Sequence, residues 1–490
     1  MAKLLTNEFN YLKIANAIRS KNFGTSKYLP SEMPSAILGL GAIQNGVIQQ
    51  VTASSAAIPA NTFVQINTTW SNTGASRYQT TLAAQGSSDI TTRPKIIKIS
   101  DTKFLVGYAG ASSGNPAFRF QNCTVSGDTI TPGSIATLDN TTVYDGGVDS
   151  SWDLIDIGNG TALFVYGTAL SSAEIRAVAI DYSGATPQVG TPTLIDSAAA
   201  RYYASSAAKL GNGKAIVKYE KDSKTYAHVL TISGLVVTAS TATEIYSSTL
   251  GYGYKTITAL TPSFAVVLGT ISGSSGSTSR QAYAIRLNIS GTTITPNAGE
   301  AVSGMGTYDI SGSAGMSTSF ALSSSRFIVS AKWAEQGQIY MALVESNAGG
   351  TVKLSGFELG TGYNKNAYRE SYMPLSNGVI AVTYSNSSST TGYVTRMAYD
   401  ESAGTISIIS GNVWQDVEDS TFNYAAPAIM LGDNKIVRVS GILNGKGRVG
   451  AVLMHLPATM AASTTKIDGV TAEPIAASGT GDVWVLNQGS

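Results

Sequence analysis

Short alternations of apolar and polar residues fill the chain from residue 93 to residue 462, and a turn-and-strand phrase recurs there seven times. It reads IGNGTALFVY at 157–166, LGNGKAIVKY at 210–219 and LSNGVIAVTY at 375–384. Looser copies are ISDTKFLVGY at 99–108, LTPSFAVVLG at 260–269, LSSSRFIVSA at 322–331 and LGDNKIVRVS at 431–440. The first apolar residues of the copies, Ile99, Ile157, Leu210, Leu260, Leu322, Leu375 and Leu431, stand 58, 53, 50, 62, 53 and 56 residues apart. A strand-based repeat of that period predicts a mainly β chain folded as a seven-bladed β-propeller. Six or eight blades are the alternative counts, eight if residues 46–92 supply another.

Each copy continues through a variable loop into a third strand, a tight turn of Ser-Gly, Gly-Gly or Ala-Gly type, and a more polar outer strand, as in YAIRLNISGTTITPN. The Asn-Gly of the stronger copies suits a two-residue hairpin, because both turn positions need positive φ. Nine residues past the anchor stand Tyr108, Tyr166, Tyr219 and Tyr384, with Gly269, Ala331 and Ser440 in the other copies. A tyrosine repeated at one structural position is first a packing element, filling the wedge between blades while its hydroxyl finds a partner. The seventh copy lacks the tight turn and outer strand. A strand from the N-terminal side, at 46–66, is expected to complete that blade and remove the open edges.

Upstream of the repeat the pattern changes. Phe9, Leu12, Ile14, Ala15, Ile18 and Phe23 recur at three- and four-residue spacing and predict a helix over 7–22 with Asn7 as its cap. Ser31, Pro34, Ile37 and Leu38 predict a second short helix. Residues 1–45 therefore read as a two-helix module too small for a core of its own, which must dock on another surface. Residues 46–92 read as a β connector or as strands that close the propeller, and residues 463–490 as a short C-terminal β-piece.

Composition narrows the function classes. Charged residues are 13% of the 490, about half the usual share, and the net charge is +1 without a basic stripe, which speaks against a nucleic-acid partner. No apolar run reaches the length that spans a bilayer, so no membrane insertion is expected, and the N-terminus has no signal-peptide core. Cys123, the one cysteine, lies in a strand-like stretch and reads as a small buried hydrophobe. His228 and His455 fall in third strands, where a histidine satisfied by its neighbours is expected. No zinc spacing, phosphate-binding loop, calcium loop or sialidase-type aspartate box occurs. The expectation is a non-enzyme without metal or cofactor, although a carboxylate pair could hide among 31 acidic residues.

One constellation is positive. The segments leading into the blades are rich in aromatics, among them Tyr144, Trp152, Tyr202, Tyr308, Tyr363, Tyr372 and Phe422. Tyr203, Tyr252, Tyr254, Tyr368 and Tyr424 are the candidate ligand contacts, since such connections share one propeller face and phenol rings stack on sugars. The competing reading is that these rings plug gaps between blades.

The ends of the chain add a resemblance. YLKIANAIRSKNFGTSKYLPSEMPSAILGL at 11–40 resembles a module near the start of many bacteriophage tail, baseplate and fibre proteins. It carries Ile14, Ala15, Ala17, Ile18, Arg19, Lys21 and Gly24, then Pro30, Met33, Pro34 and Ile37, and departs in having both Asn22 and Phe23 before the glycine. TTKIDGVTAEPIAASGTGDVWVL at 464–486 is similar to the β-piece that ends many such proteins. The resemblance implies a virion structural protein of the tail fibre or baseplate, made in the host cytoplasm and released by lysis. Its expected partners are other tail proteins through residues 1–45, further copies of itself in a homo-oligomer, and a host surface glycan. The alternatives are a spacer without a ligand and a surface-polysaccharide depolymerase.

Overall fold

In the computed structural model the described residues are 94–112, 115–138, 152–168, 174–197, 206–211, 213–248, 250, 257–272, 279–305, 307–309, 316–332, 339–359, 371–374, 379–385, 392–416, 427–432, 435–440 and 449–455, with further strands at 47–53, 63–67, 76–83, 459–462, 469–471 and 480–485. Among them there are strands and no helix. The two expected N-terminal helices lie outside the described residues.

The chain divides into two compact units, Arg77–Met454 and a second made from both ends of the sequence. The larger unit is a β-propeller. Six of its sheets are blades, each a meander drawn from one continuous stretch of chain. Sheet 1 runs Lys95–Ser100, Lys103–Ser112, Asn115–Ser126 and Thr129–Leu138, from the inner strand outwards. The inner three strands of sheet 2 are Trp152–Gly158, Thr161–Gly167 and Glu174–Asp181, and its outermost position is shared by Gln188–Val189 and Thr193–Ser197. Sheet 3 (Ser206–Gly211, Lys214–Lys221, Lys224–Ser233) and sheet 4 (Ile257–Thr261, Phe264–Ser272, Ser279–Ser290) have similarly divided outer strands. The inner strands of sheets 5 and 6 are Met316–Ala321 and Ser371–Pro374.

Sheet 7 is composite. Ala428–Leu431, Lys435–Ser440 and Val449–His455 come from the end of the repeat, and Ser76–Ala83 pairs outside them. A strand from the N-terminal side does complete this sheet, but it is 76–83 and not a segment of 46–66. The physical reason is competition for partners: Val47–Ala53 and Phe63–Asn67 are paired elsewhere. They close a five-stranded barrel with Thr459–Ala462, Gly469–Thr471 and Thr480–Val485, in which Val47 lies opposite Val485 and Phe63 opposite Val470. That barrel is the second unit.

Within the propeller unit apolar residues on facing sheets merge into shared cores. Phe118 and Phe120 of sheet 1 pack with Phe164 and Tyr166 of sheet 2. Ile155 and Val165 of sheet 2 pack with Val217 and Leu230 of sheet 3. Similar cores join sheets 3 and 4, 4 and 5, and 5 and 6. The inner strands of sheets 6 and 7 lie side by side. Leu431, Val437 and Val439 of sheet 7 pack with Phe104, Val106 and Tyr108 of sheet 1, bringing the last sheet against the first.

The hairpins explain why these residues form these strands. Asn159 and Gly160 connect the first two strands of sheet 2 with φ of 54° and 76°, the two left-handed positions that the Asn-Gly pair was expected to supply. The repeated tyrosines behave as packing elements: Tyr108, Tyr166 and Tyr219 are fully buried, each against the preceding sheet. Sheet 4 has Gly269 at the same place, and a Cβ there would lie 2.6 Å from Cβ of Leu250. Leu250 is itself fully buried, so an incoming leucine fills the volume that a tyrosine ring occupies elsewhere.

Candidate functional site

The two ends of the propeller unit are built differently. At one end the inner strand turns into the second through as few as two residues, as at 101–102 and 159–160, and through no more than four, at 322–325 and 375–378. At the other end the chain passes from one sheet to the next through six residues (310–315) to thirteen (139–151). We call these the turn end and the connection end.

At the turn end, side chains of one sheet reach the turn carbonyls of its neighbour. Asn122 Nδ2 donates to the carbonyls of Tyr182 and Gly184 at 2.9 and 2.8 Å. Arg286 donates to the carbonyl of Asn347, and Arg326 to that of Glu401. Lys435 reaches the Gly127 carbonyl at 3.3 Å, and the Gly432 amide donates to Asp101 Oδ1 at 3.2 Å, tying sheet 7 to sheet 1. These contacts fasten sheets together.

At the connection end the inner strands carry buried polar groups. Asp153, the second residue of its strand, is 4% exposed. Its Oδ1 lies 3.4 Å from Lys95 Nζ of sheet 1 and accepts the Leu154 amide at 3.0 Å, while Oδ2 accepts the Ala207 amide of sheet 3 at 3.1 Å. One carboxylate thus links three sheets. Lys95 Nζ also stands 5.5 Å from the Trp152 ring centroid, a favourable cation–π distance. Further round, the hydroxyls of Thr258 and Ser319 bond sheet 4 to sheet 5, and Ser371 Oγ accepts the Ala428 amide at 3.0 Å, sheet 6 to sheet 7.

A charged cluster lies beside this collar on the face of sheet 3 that packs against sheet 4. Lys218 Nζ and Glu220 Oε1 are 3.4 Å apart, with side chains only 1% and 4% exposed. Ser206 stands opposite Lys218 in the ladder, and Thr225 opposite Glu220. At the place of Lys218, eight residues past the anchor, sheets 2 and 4 have the buried apolar residues Val165 and Leu268. A buried ion pair costs desolvation that an apolar pair avoids. Ser206 Oγ, Tyr108 Oη and Tyr166 Oη, all at this end, are buried without a hydrogen-bond partner. Burial pushes the two phenols up to about 12, so they remain protonated donors at neutral pH.

Tyr203, Tyr252, Tyr254, Tyr368 and Tyr424 all belong to the connection-end segments and lie outside the described residues. Trp152, named with them from the sequence, is 3% exposed and packs edge-on against Phe118 at 5.3 Å, so at that position the gap-filling reading holds. Cys123 is fully buried, and burial pushes its thiol up to about 12, as a structural cysteine requires. His228 is held by Tyr219 and by the Ser240 carbonyl. Among the described residues no group of three or more metal-binding side chains comes together.

Sequence reasoning missed Lys95, Asp153, Lys218 and Glu220. A charge in an alternating strand reads as solvent-facing, and only register against the repeat would have flagged these. Lys95, Asp153, Ser206 and Ser371 each stand four residues before the anchors Ile99, Ile157, Leu210 and Leu375.

No family model matches the chain, and no curated protein matches it. Solved structures with a similar fold include an α-L-arabinanase of Penicillium chrysogenum complexed with arabinobiose (15% identity, TM-score 0.38, covering 77% of this chain and 98% of that one). An ulvan lyase is similar at 10% identity and TM-score 0.42, covering 78% and 98%. The α-L-arabinofuranosidase of Fusarium graminearum is similar at 13% identity and TM-score 0.40, covering 78% and 97%. These likenesses concern the fold, and no substrate passes to this chain through them. The expectation of a non-enzyme, which rested on motifs absent from the sequence, is corrected: the three similar structures named are enzymes.

Proposed function

We propose that this chain engages a cell-surface polysaccharide at the connection end of its propeller, as a tail-fibre or baseplate component of a bacteriophage. The observation that carries the reading is the difference between the two ends. Long aromatic-rich connections and a collar of buried polar groups share one end, whereas the other is short turns fastened sheet to sheet. The buried groups hold the inner strands in place beneath the connections, and the aromatic residues of those connections suit a sugar-rich ligand. The virion assignment rests on the resemblance of residues 11–40 and 464–486, with residues 1–45 as the docking module. Sheet 7 is read as the blade that completes a ring of seven, which gives the connection end a continuous rim.

Cleavage of the bound polysaccharide is the second reading. The observation on its side is the Lys218–Glu220 pair, two charges kept at desolvation cost at this end of the propeller unit. The test uses the full chain and purified bacterial cell-wall polysaccharides. Co-sedimentation reports binding, and size-exclusion chromatography of the polysaccharide reports shortening. Retention at constant chain length supports a binder, shortening supports a depolymerase, and neither with any polysaccharide would overturn both. In the binding case, Tyr252→Ala with Tyr254→Ala should weaken retention roughly thirtyfold while Tm holds, since two stacked aromatics contribute about 1 kcal/mol each.

A further inference from the structure

We infer that Asp196, Tyr219 and His228 form a buried proton-binding site joining sheet 2 to sheet 3. Asp196 comes from the outermost strand of sheet 2, Tyr219 from the second strand of sheet 3 and His228 from the third. Tyr219 Oη stands 2.5 Å from Asp196 Oδ2 and 3.0 Å from His228 Nε2, and His228 Nδ1 stands 2.7 Å from the Ser240 carbonyl oxygen. The Tyr219 ring stacks on the His228 ring at 5.5 Å and on Tyr226 at 5.9 Å. Tyr219 and His228 are 0% and 3% exposed, so bulk water does not complete their bonding.

Counting hydrogens decides what this chain of groups holds. A carbonyl oxygen only accepts, so Nδ1 of His228 carries a hydrogen and, in the neutral ring, Nε2 has none. The Tyr219 hydroxyl has one hydrogen and two acceptors to serve, the carboxylate and Nε2. Neutral histidine, phenol and carboxylate therefore supply two hydrogens to three bonds. One more proton closes the chain: Nε2–H then donates to Tyr219 Oη, and Tyr219 O–H donates to Asp196.

The surroundings say where that proton sits. Burial raises the Asp196 carboxyl, but hydrogen bonds from Lys221 and Tyr219 and the Lys221 charge outweigh it and hold the carboxyl below its ordinary value. Lys221 Nζ is 2.7 Å from Asp196 Oδ1. The proton therefore goes to His228. Burial pushes that imidazole below its ordinary range, while the Ser240 carbonyl and the Asp196 charge pull it back up and Lys221 opposes it. The other charged and titratable groups facing the site are Asp222 in the adjoining turn and Tyr226, with Lys224 paired to Glu244 at 2.7 Å nearer solvent. The site is thus open at neutral pH and fills on the acid side of the usual histidine range.

Nitrogen-15 imidazole NMR on the full chain tests this, because His228 and His455 are the only histidines and His228→Gln assigns the spectrum by difference. The alkaline form of His228 should be the Nδ1–H tautomer. Asp196→Asn should lower its protonation midpoint by about one pH unit, tenfold in proton affinity. Lys221→Gln should move it the other way, and this exposed-side change serves if Asp196→Asn does not fold. An Nε2–H tautomer at alkaline pH, or a midpoint that neither variant moves, would overturn the proton site.

Discussion

The turn end and the connection end are made from the same strands, yet they hold the sheets together by opposite means. At the turn end the links are half-exposed side chains donating to turn carbonyls, such as Asn122 to Tyr182 and Gly184. At the connection end they include a buried carboxylate, Asp153, which takes donors from Lys95, Leu154 and Ala207 across three sheets, and hydroxyls such as Thr258 and Ser319. A link open to water can lose its partner at small cost, because water replaces it. A buried carboxylate cannot. The end with the long connections therefore carries the more demanding fastening directly beneath them, which keeps the inner strands in place while the connections vary.

The largest expected effect comes from breaking that fastening. Asp153→Ala leaves a partly buried lysine and two amides without their carboxylate, and denaturant unfolding should show a loss of about 3–5 kcal/mol. A loss below about 1 kcal/mol would mean that the two ends are equivalent. Overpacking ranks next. Gly269→Tyr restores the repeated tyrosine where Leu250 already fills the space, and should cost about 1–3 kcal/mol. Adding Leu250→Ala should recover part of that loss, since the ring would then have room; no recovery would show that the glycine answers to something other than Leu250.

Turn-end changes should be smaller. Asn122→Ala removes two hydrogen bonds to carbonyls that water can reach, and a loss of about 1 kcal/mol is expected, well short of the Asp153 variant. At the connection end, in the turn between the second and third strands of sheet 3, Asp222 and Ser223 both sit at positive φ, 52° and 59°, without a glycine. Ser223→Gly should relieve this and raise stability by about 0.5–1 kcal/mol, read as a small rise in Tm.

The blades were legible because their signals are local. Asn159-Gly160 announces its hairpin within two residues, and the tyrosines of the anchor phrase announce their burial by recurrence. The closing strand and the barrel were not legible in the same way. Pairs such as Val47 with Val485 or Thr52 with Thr480 join opposite ends of the sequence, and nothing within either strand names its partner. The segment at 46–66 was rightly read as β but given the wrong neighbour, because strand propensity carries no pairing information. The collar was missed for a third reason. Asp153 and Lys218 look like surface charges until the facing sheet covers them, and that cover comes from Ala207 for one and from the packed face of sheet 4 for the other.

Hydrogen–deuterium exchange with and without a bound cell-wall polysaccharide tests most directly whether the connection end is the ligand-facing end. The account predicts slowed exchange in the connections at 198–205, 251–256, 360–370 and 417–426, with the turns at 101–102, 159–160 and 262–263 unchanged. Protection confined to those turns, or spread evenly over both ends, would contradict it.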